Sequence, residues 1–316
     1  MSARTMPLRV AAAEPLSPRL KAFTLVAADG GLVHPSGPGA HLRLLLRNGA
    51  AVHRNAYSIV SSPDDRSHVS IIVRRTRDSK GGSALLHEAV KPGDVIEAGL
   101  PANLFPVVRT ARKHLMVSGG IGITPFLAYI AAFQAAGTPW ELHHFCRIEE
   151  RAVFEALLAH APAGRVHIHA GNAFGVLADR LARQPLGTHL YSCGPALLME
   201  AGQELARSLG WPKARLHSES FGGAAEGGAP FIAVLRRSNL EIEVGPQTSL
   251  LDAIEAAGVD APCLCRGGAC GQCVVEVAEG EPEHRDHFLD DDERASNRLI
   301  MTCVSRARTP RLVLDL

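Results

Sequence analysis

Four cysteines near the C-terminus carry the most specific chemistry in the chain. Cys265, Cys270 and Cys273 stand in C-x4-C-x2-C spacing, and Cys303 follows thirty residues after Cys273. Thiolates in this arrangement are soft ligands suited to a plant-type [2Fe–2S] cluster. Gly267, Gly268 and Gly271 lie inside the loop, where a backbone without Cβ can come close to the cluster sulfurs. Zinc is the rival reading, but zinc ribbons pair two C-x2-C knuckles. Here Cys303 stands alone and the x4 loop is rich in glycine, which favours iron and sulfide. Cys263 falls outside the set and reads as a neighbouring thiol. Seven cysteines, an odd number, also argue for metal or redox chemistry over a disulfide framework.

A second constellation reads as an anion site. Gly119-Gly120-Ile121-Gly122-Ile123-Thr124-Pro125 follows the apolar run 114–118 and opens a helix. Glycines let the backbone crowd a pyrophosphate, and a helix start offers N–H donors. Ser192-Cys193-Gly194-Pro195 repeats the strand–turn–helix pattern before Ala196. Two such turns at the carboxyl ends of strands define a ligand crevice. After the run 141–146 come Arg147, Glu149, Glu150 and Arg151. An acid there favours the ribose hydroxyl of NAD and an arginine favours a 2′-phosphate, and both signs are present.

The elements that must position these residues fall into three segments and a linker. Residues 1–109 show short strands (20–26, 41–46, 57–60, 69–73, 95–98), Gly/Pro turns and one helical stretch, which predicts a small antiparallel β-barrel. Residues 110–222 alternate strand and helix, which predicts a doubly wound parallel α/β sheet. Residues 223–229 are linker-like in composition. Residues 230–316 open with two strands and a helix capped by Thr248 or Ser249, and end in the cysteine loop. His143 and His144 read as structural histidines of a buried strand. A 46% hydrophobic and 21% charged composition is that of a globular chain, and a net charge of +1 gives no field for nucleic acid. No run approaches the about 18 apolar residues of a membrane span. The first residues lack the apolar core of a signal peptide, so a cytoplasmic protein is expected.

The cysteine loop resembles a plant-type ferredoxin domain. Its order behind a barrel and a nucleotide segment is similar to the phthalate dioxygenase reductase and vanillate demethylase reductase family, over essentially the whole chain. In that family the order is flavin domain, NAD domain, ferredoxin domain, the last a β-grasp fold. The Gly119–Pro125 loop matches the family's G-G-x-G-x-T-P, and Cys193-Gly194-Pro195 matches the C-G-P turn beside the nicotinamide. The resemblance implies flavin contacts as well. Arg54-Asn55-Ala56-Tyr57-Ser58 resembles R-x-Y-S, whose arginine reaches the flavin phosphate, but the arginine position counted back from Tyr57 holds Asn55. Successive strand residues face opposite ways, so Arg54 serves only if a bulge re-aims it. Otherwise Asn55 makes a neutral contact and Arg74, Arg75 or Lys80 meets the charge. Gly81-Gly82-Ser83 resembles the family's phosphate-binding turn, and Phe221 the aromatic that covers the flavin. Cys193, Thr124 and Phe221 are the residues expected around the reacting rings.

The resemblance implies an NADH-dependent oxidoreductase in which FMN divides a two-electron donor between one-electron steps and [2Fe–2S] hands electrons onward. Hydride transfer itself needs no acid or base. The expected acceptor is the terminal component of an oxygenase or demethylase, a Rieske non-haem iron or haem protein, and the carrier is expected to be a monomer. A stand-alone flavin, ferric or quinone reductase and a non-enzymatic iron–sulfur protein are the alternatives.

Overall fold

The computed structural model describes residues 5–49, 51–76, 81–171, 175–221, 227–264, 266–268, 270–286 and 288–316. The chain forms two compact units, Met1–Glu219 and Ser220–Leu316.

The first unit opens with β1 (Thr5–Ser17), β2 (Leu20–Ala27), β3 (Ala40–Asn48), β4 (Ala51–Ser58), β5 (Val69–Arg74), β6 (Val95–Gly99) and β7 (Ala102–Asn103). They pair antiparallel in the order β4-β3-β6-β1-β2-β5, with β7 against β3. The ends of this path meet where Ile59 pairs with Ile71 and Val60 N donates to Ser70 O at 2.8 Å. The sheet thereby closes into the expected barrel. Alternation sends Leu42, Leu44 and Leu46 inward onto Leu8, Val10, Phe23 and Leu25. The short helix α1 (Gly82–Glu88) adds Leu86 to this core. Strand β1 goes beyond the sequence expectation. Its alanine run and Pro7 and Pro15 carry weak strand propensity, and it is extended because β2 and β6 pair with it on either side.

The same unit continues with β8 (Lys113–Gly119), α2 (Thr124–Ala136), β9 (Trp140–Cys146), α3 (Arg151–Leu157), β10 (Val166–Ala170), α4 (Val176–Ala182), β11 (Thr188–Cys193), α5 (Ala196–Ser208) and β12 (Leu216–Glu219). All five strands are parallel, in the order β10-β9-β8-β11-β12. Chain progression runs one way from β8 and the other way from β11, so the topological switch point lies between these two. Helix α2 is apolar on nearly every side because it is covered on both. Its Phe126, Tyr129 and Phe133 pack with Met116 and Tyr191 of the parallel sheet and with Leu20 and Ile72 of the barrel. The Tyr129 hydroxyl donates to the Phe105 carbonyl. One core thus joins the barrel to the parallel sheet.

The second unit contains β13 (Phe231–Leu235), β14 (Leu240–Val244), α6 (Leu250–Ala256), β15 (Val274–Glu279), β16 (Pro282–Glu283), α7 (Asp291–Ala295), β17 (Leu299–Met301), β18 (Arg306–Ala307) and β19 (Arg311–Leu314). Its main sheet runs β14-β13-β19-β15-β17, with β13 and β19 parallel, and α6 lays Leu250, Leu251 and Ile254 across it in a β-grasp. Ser249 caps α6, its side chain accepting from Asp252 N at 3.0 Å. Arg306 is fully buried and donates to the carbonyls of Thr248, Ala229 and Gly245. At the margins, β14 exposes Glu241 and Glu243, and β17 is three residues long. Among the described residues no helix is long and apolar enough to cross a membrane.

Histidine burial in the first unit makes stability depend on acid. His41, His114 and His217 are each lowered from 6.5 to about 4, first by burial and then by neighbouring positive groups. The unfolded chain takes up these protons at higher pH than the folded one, so stability is complete above pH 6.5 and falls as pH drops toward 4. Calorimetry should show the melting temperature of the first unit falling through that window. A flat profile would rule out neutral burial of these rings.

Candidate functional site

Strands β8 and β11 lie side by side, with Ser118 paired to Cys193, and both chains must turn sharply into helices at the same level. Their turns rest on each other backbone to backbone. A Cβ on Gly122 would stand 2.2 Å from the Cys193 carbonyl oxygen, and one on Gly194 would stand 2.7 Å from Gly119 N. These glycines are therefore required by the contact between the turns, whatever ligand they meet. Gly120 differs. Its φ of 52° is left-handed, and a Cβ there would face Arg74 Nη1 at 2.8 Å. Thr124 is buried, and its Oγ1 donates to the Ile121 carbonyl at 3.0 Å, closing the turn, with Pro125 in the first turn of α2. The Cys193 side chain is fully buried, and burial pushes its thiol well above the usual range. Gly119, Gly120, Gly122, Thr124, Pro125, Cys193, Gly194 and Pro195 are thus brought together at the switch point. The cysteine presents its backbone to the turn and its sulfur to the core.

On the barrel, β4 pairs with β3 through eight consecutive residues without a bulge, Arg54 opposite Leu45 and Asn55 opposite Leu44. Strand alternation therefore separates Arg54 from Asn55. The face is identified by two glycines at the start of α1. A Cβ on Gly81 would stand 2.4 Å from the His53 ring, and one on Gly82 1.9 Å from Asn55 Oδ1. His53 and Asn55 face this turn, and Arg54 takes the opposite side of β4. Ser83 is buried, with Oγ 3.3 Å from Thr76 Oγ1. His53 was legible only in hindsight, two residues before Asn55 and so on the same face. The other basic residues considered for a phosphate are engaged elsewhere. Arg74 pairs with Glu150 across from the parallel sheet, and Arg75 pairs with Glu88. Lys80 lies outside the described residues.

Two buried atoms on β4 test whether a flavin fits. The Tyr57 hydroxyl and Ser58 Oγ have no hydrogen-bond partner among the described residues. Burial also raises the Tyr57 phenol above its ordinary range, so it stays a neutral donor. Leaving such groups unsatisfied costs about 1–3 kcal/mol each. A ring system bearing both carbonyls and N–H groups is the kind of ligand that satisfies them.

In the second unit Cys265 lies outside the described residues. Cys273 and Cys303 are buried with their sulfurs 3.1 Å apart, and Met301 Sδ is 3.8 Å from Cys273 Sγ. Two thiols this close, yet beyond the about 2.05 Å of a disulfide, suit a shared iron. Cys270 is half-buried. Cys263 Sγ lies 3.8 Å from Glu255 Oε1 on α6. The loop has anchors that spacing did not reveal. Arg266, at φ 53°, donates to Asp252 at 2.9 Å and to Glu255. The buried Asp286 carboxylate accepts from Leu289 N at 2.9 Å and Ser305 Oγ at 3.2 Å. Phe221 opens the second unit and is 40% exposed.

Residues 234–308 match the 2Fe-2S iron-sulfur cluster binding domain. The carnitine monooxygenase reductase subunit of Escherichia coli (strain K12) is 42% identical, over 98% of each chain. The heme-dependent oxidative N-demethylase beta subunit of Ectopseudomonas mendocina (strain ymp) is 43% identical, again over 98% of each. Among solved structures, phthalate dioxygenase reductase, described as modular for electron transfer from pyridine nucleotides to [2Fe–2S], superposes with a TM-score of 0.82 at 32% identity, over 99% of this chain and 98% of that one. The barrel, the doubly wound sheet and the β-grasp unit are the fold of that structure. The chain therefore belongs to the phthalate dioxygenase reductase family, the oxidoreductase components that pass electrons from pyridine nucleotide through a flavin to a [2Fe–2S] centre for oxygenases and demethylases.

Proposed function

We propose that the electron donor is NADH, held at the switch point, that the flavin is FMN, held on β4 and the start of α1, and that the cluster is held by Cys265, Cys270, Cys273 and Cys303. The acceptor in this reading is the terminal component of an oxygenase or demethylase with a Rieske or haem centre. The protein is read as a cytoplasmic monomer with a flavin segment 1–109, an NAD segment 110–222, a linker 223–229 and a ferredoxin segment 230–316. Thiols committed to metal ligation fit a reducing compartment.

The observation that carries the reading is the buried, unpartnered Tyr57 hydroxyl, on the same face of β4 as Asn55 and on the strand where the flavin motif falls. Bound flavin supplies the conversion between a two-electron and a one-electron carrier. The chain supplies position. Tyr57 offers its hydroxyl to the ring, while Asn55, Gly81, Gly82 and Ser83 receive the phosphate, with His53 beside them. Gly119, Gly120, Gly122, Thr124 and Pro125 receive the dinucleotide phosphates, and the Cys193-Gly194-Pro195 turn bounds the nicotinamide. Arg74 stands against Gly120 and so belongs with the dinucleotide rather than the flavin phosphate. The choice of NADH rests on the family resemblance.

Three measurements test these assignments. Iron and acid-labile sulfide should each number two per chain, Cys270→Ser should abolish the cluster bands and Cys263→Ser should keep them. Zinc without sulfide would overturn the cluster. FMN titrations should find Arg54→Ala nearly silent, because its side chain leaves the strand on the far side. Asn55→Ala should weaken binding by about 0.5–1.5 kcal/mol, the worth of one neutral hydrogen bond. The reverse ranking would return the phosphate to Arg54. Gly120→Val, which puts a β-branched residue at left-handed φ, should raise the KM for NADH while FMN content stays at wild-type level. Faster flavin reduction by NADPH than by NADH would reverse the choice of donor.

A further inference from the structure

Away from the switch point, toward the amino ends of the parallel strands, one face of the sheet concentrates metal-ligating atoms. Glu141 and His143 lie two apart on β9, and His167 and His169 two apart on β10, so each pair shares a face. The strands pair in parallel with His167 beside His143. Glu141 Oε1 is 2.9 Å from His143 Nε2 and 3.6 Å from His167 Nε2, and the three ligand atoms all lie within 4.8 Å of one another. The opposite carboxylate oxygen, Oε2, accepts from Lys113 Nζ at 2.6 Å. His143 Nδ1 is 3.0 Å from His169 Nε2.

We propose that Glu141, His143 and His167 form a binding site for a divalent transition-metal ion such as zinc, with His169 as the outer partner that orients His143. Two imidazole nitrogens and one carboxylate oxygen are a zinc donor set that leaves a position for water. Ligands about 2.1 Å from a tetrahedral zinc stand about 3.4 Å apart. The spacings of 2.9 and 3.6 Å bracket that value, and the two imidazole nitrogens lie within 4.8 Å of each other, so side-chain rotation that draws the rings together closes the site.

The ion replaces the His143–Glu141 hydrogen bond. The His143 proton then sits on Nδ1 and is donated to His169 Nε2. Each ring keeps one proton and only the tautomers change, an outer-partner arrangement typical of metal-bound imidazole. The site is reachable, because His167 is 28% exposed on the edge strand β10 while His143 is fully buried. Two cations oppose the ion. Lys113 is held on the far oxygen, and Arg180 Nη1, 3.8 Å from Oε1, is 47% exposed and can turn to water.

The test uses the full-length protein with flavin and cluster bands intact, titrated with Zn2+ by equilibrium dialysis and calorimetry. Wild type should bind one Zn2+ that His167→Gln binds at least tenfold more weakly, with unchanged visible spectrum and melting temperature before zinc is added. His169→Ala should weaken binding by about 10–100-fold through loss of the outer partner. Arg180→Gln should bind more tightly than wild type. X-ray absorption at the zinc edge should show nitrogen and oxygen ligands only. The proposal is overturned if wild type takes up no zinc, if sulfur appears in the zinc shell, or if affinity is the same in wild type, His167→Gln and Arg180→Gln.

Discussion

The close approach of Gly122 to the Cys193 carbonyl is the contact on which the first unit is arranged. Two neighbouring parallel strands end at the same level, and each must turn at once into a helix. Only residues without Cβ let those turns overlap, because the nearest atoms are backbone and cannot rotate away. The overlap sets where α2 starts. That start in turn carries Phe126, Tyr129 and Phe133 to the barrel residues Leu20 and Ile72. The barrel strands β2 and β5 are thereby built into the same core as the turn that follows β8. An electron carrier needs its cofactors at fixed separations, and here rigidity begins with a steric constraint between two peptide groups.

Charge is handled by a second rule. A buried cation is costly unless it is paired or hydrogen-bonded. Three arginines shielded from solvent each meet this need in a different way. Arg74 is paired with Glu150, Arg266 with Asp252 and Glu255, and Arg306 with three carbonyl oxygens. Each ties segments distant in sequence, so these side chains act as cross-links. The turn at the start of α1, in contrast, faces Asn55 and His53.

Features written within a few residues were legible in the sequence. The cysteine spacing, the glycine-rich turn after an apolar strand and the strand–helix alternation are local, and the cluster family and the parallel sheet followed from them. The offset of Arg54 from the flavin motif was also readable, because strand alternation leaves one residue on the wrong side unless a bulge intervenes, and β4 has none. What escaped depends on partners far along the chain. Strand β1 is a strand because β2 and β6 flank it, and its alanines do not announce it. Arg74 looked like a phosphate ligand because Glu150, its partner, lies 76 residues away. His143 looked like an ordinary strand histidine because β10 had to be placed beside it before His167 and His169 came into view.

The margins of the second unit's sheet have a consequence for how the protein behaves in a crowd. A sheet that ends in unpaired N–H and C=O groups offers a template on which another chain can add a strand. On one margin Glu241 and Glu243 of β14 line the approach with charge, and on the other β17 is too short to seed a ladder. A redox partner must be met through brief, repeated encounters between side-chain surfaces. With both margins blunted, collisions between copies of this chain do not propagate into β-stacking.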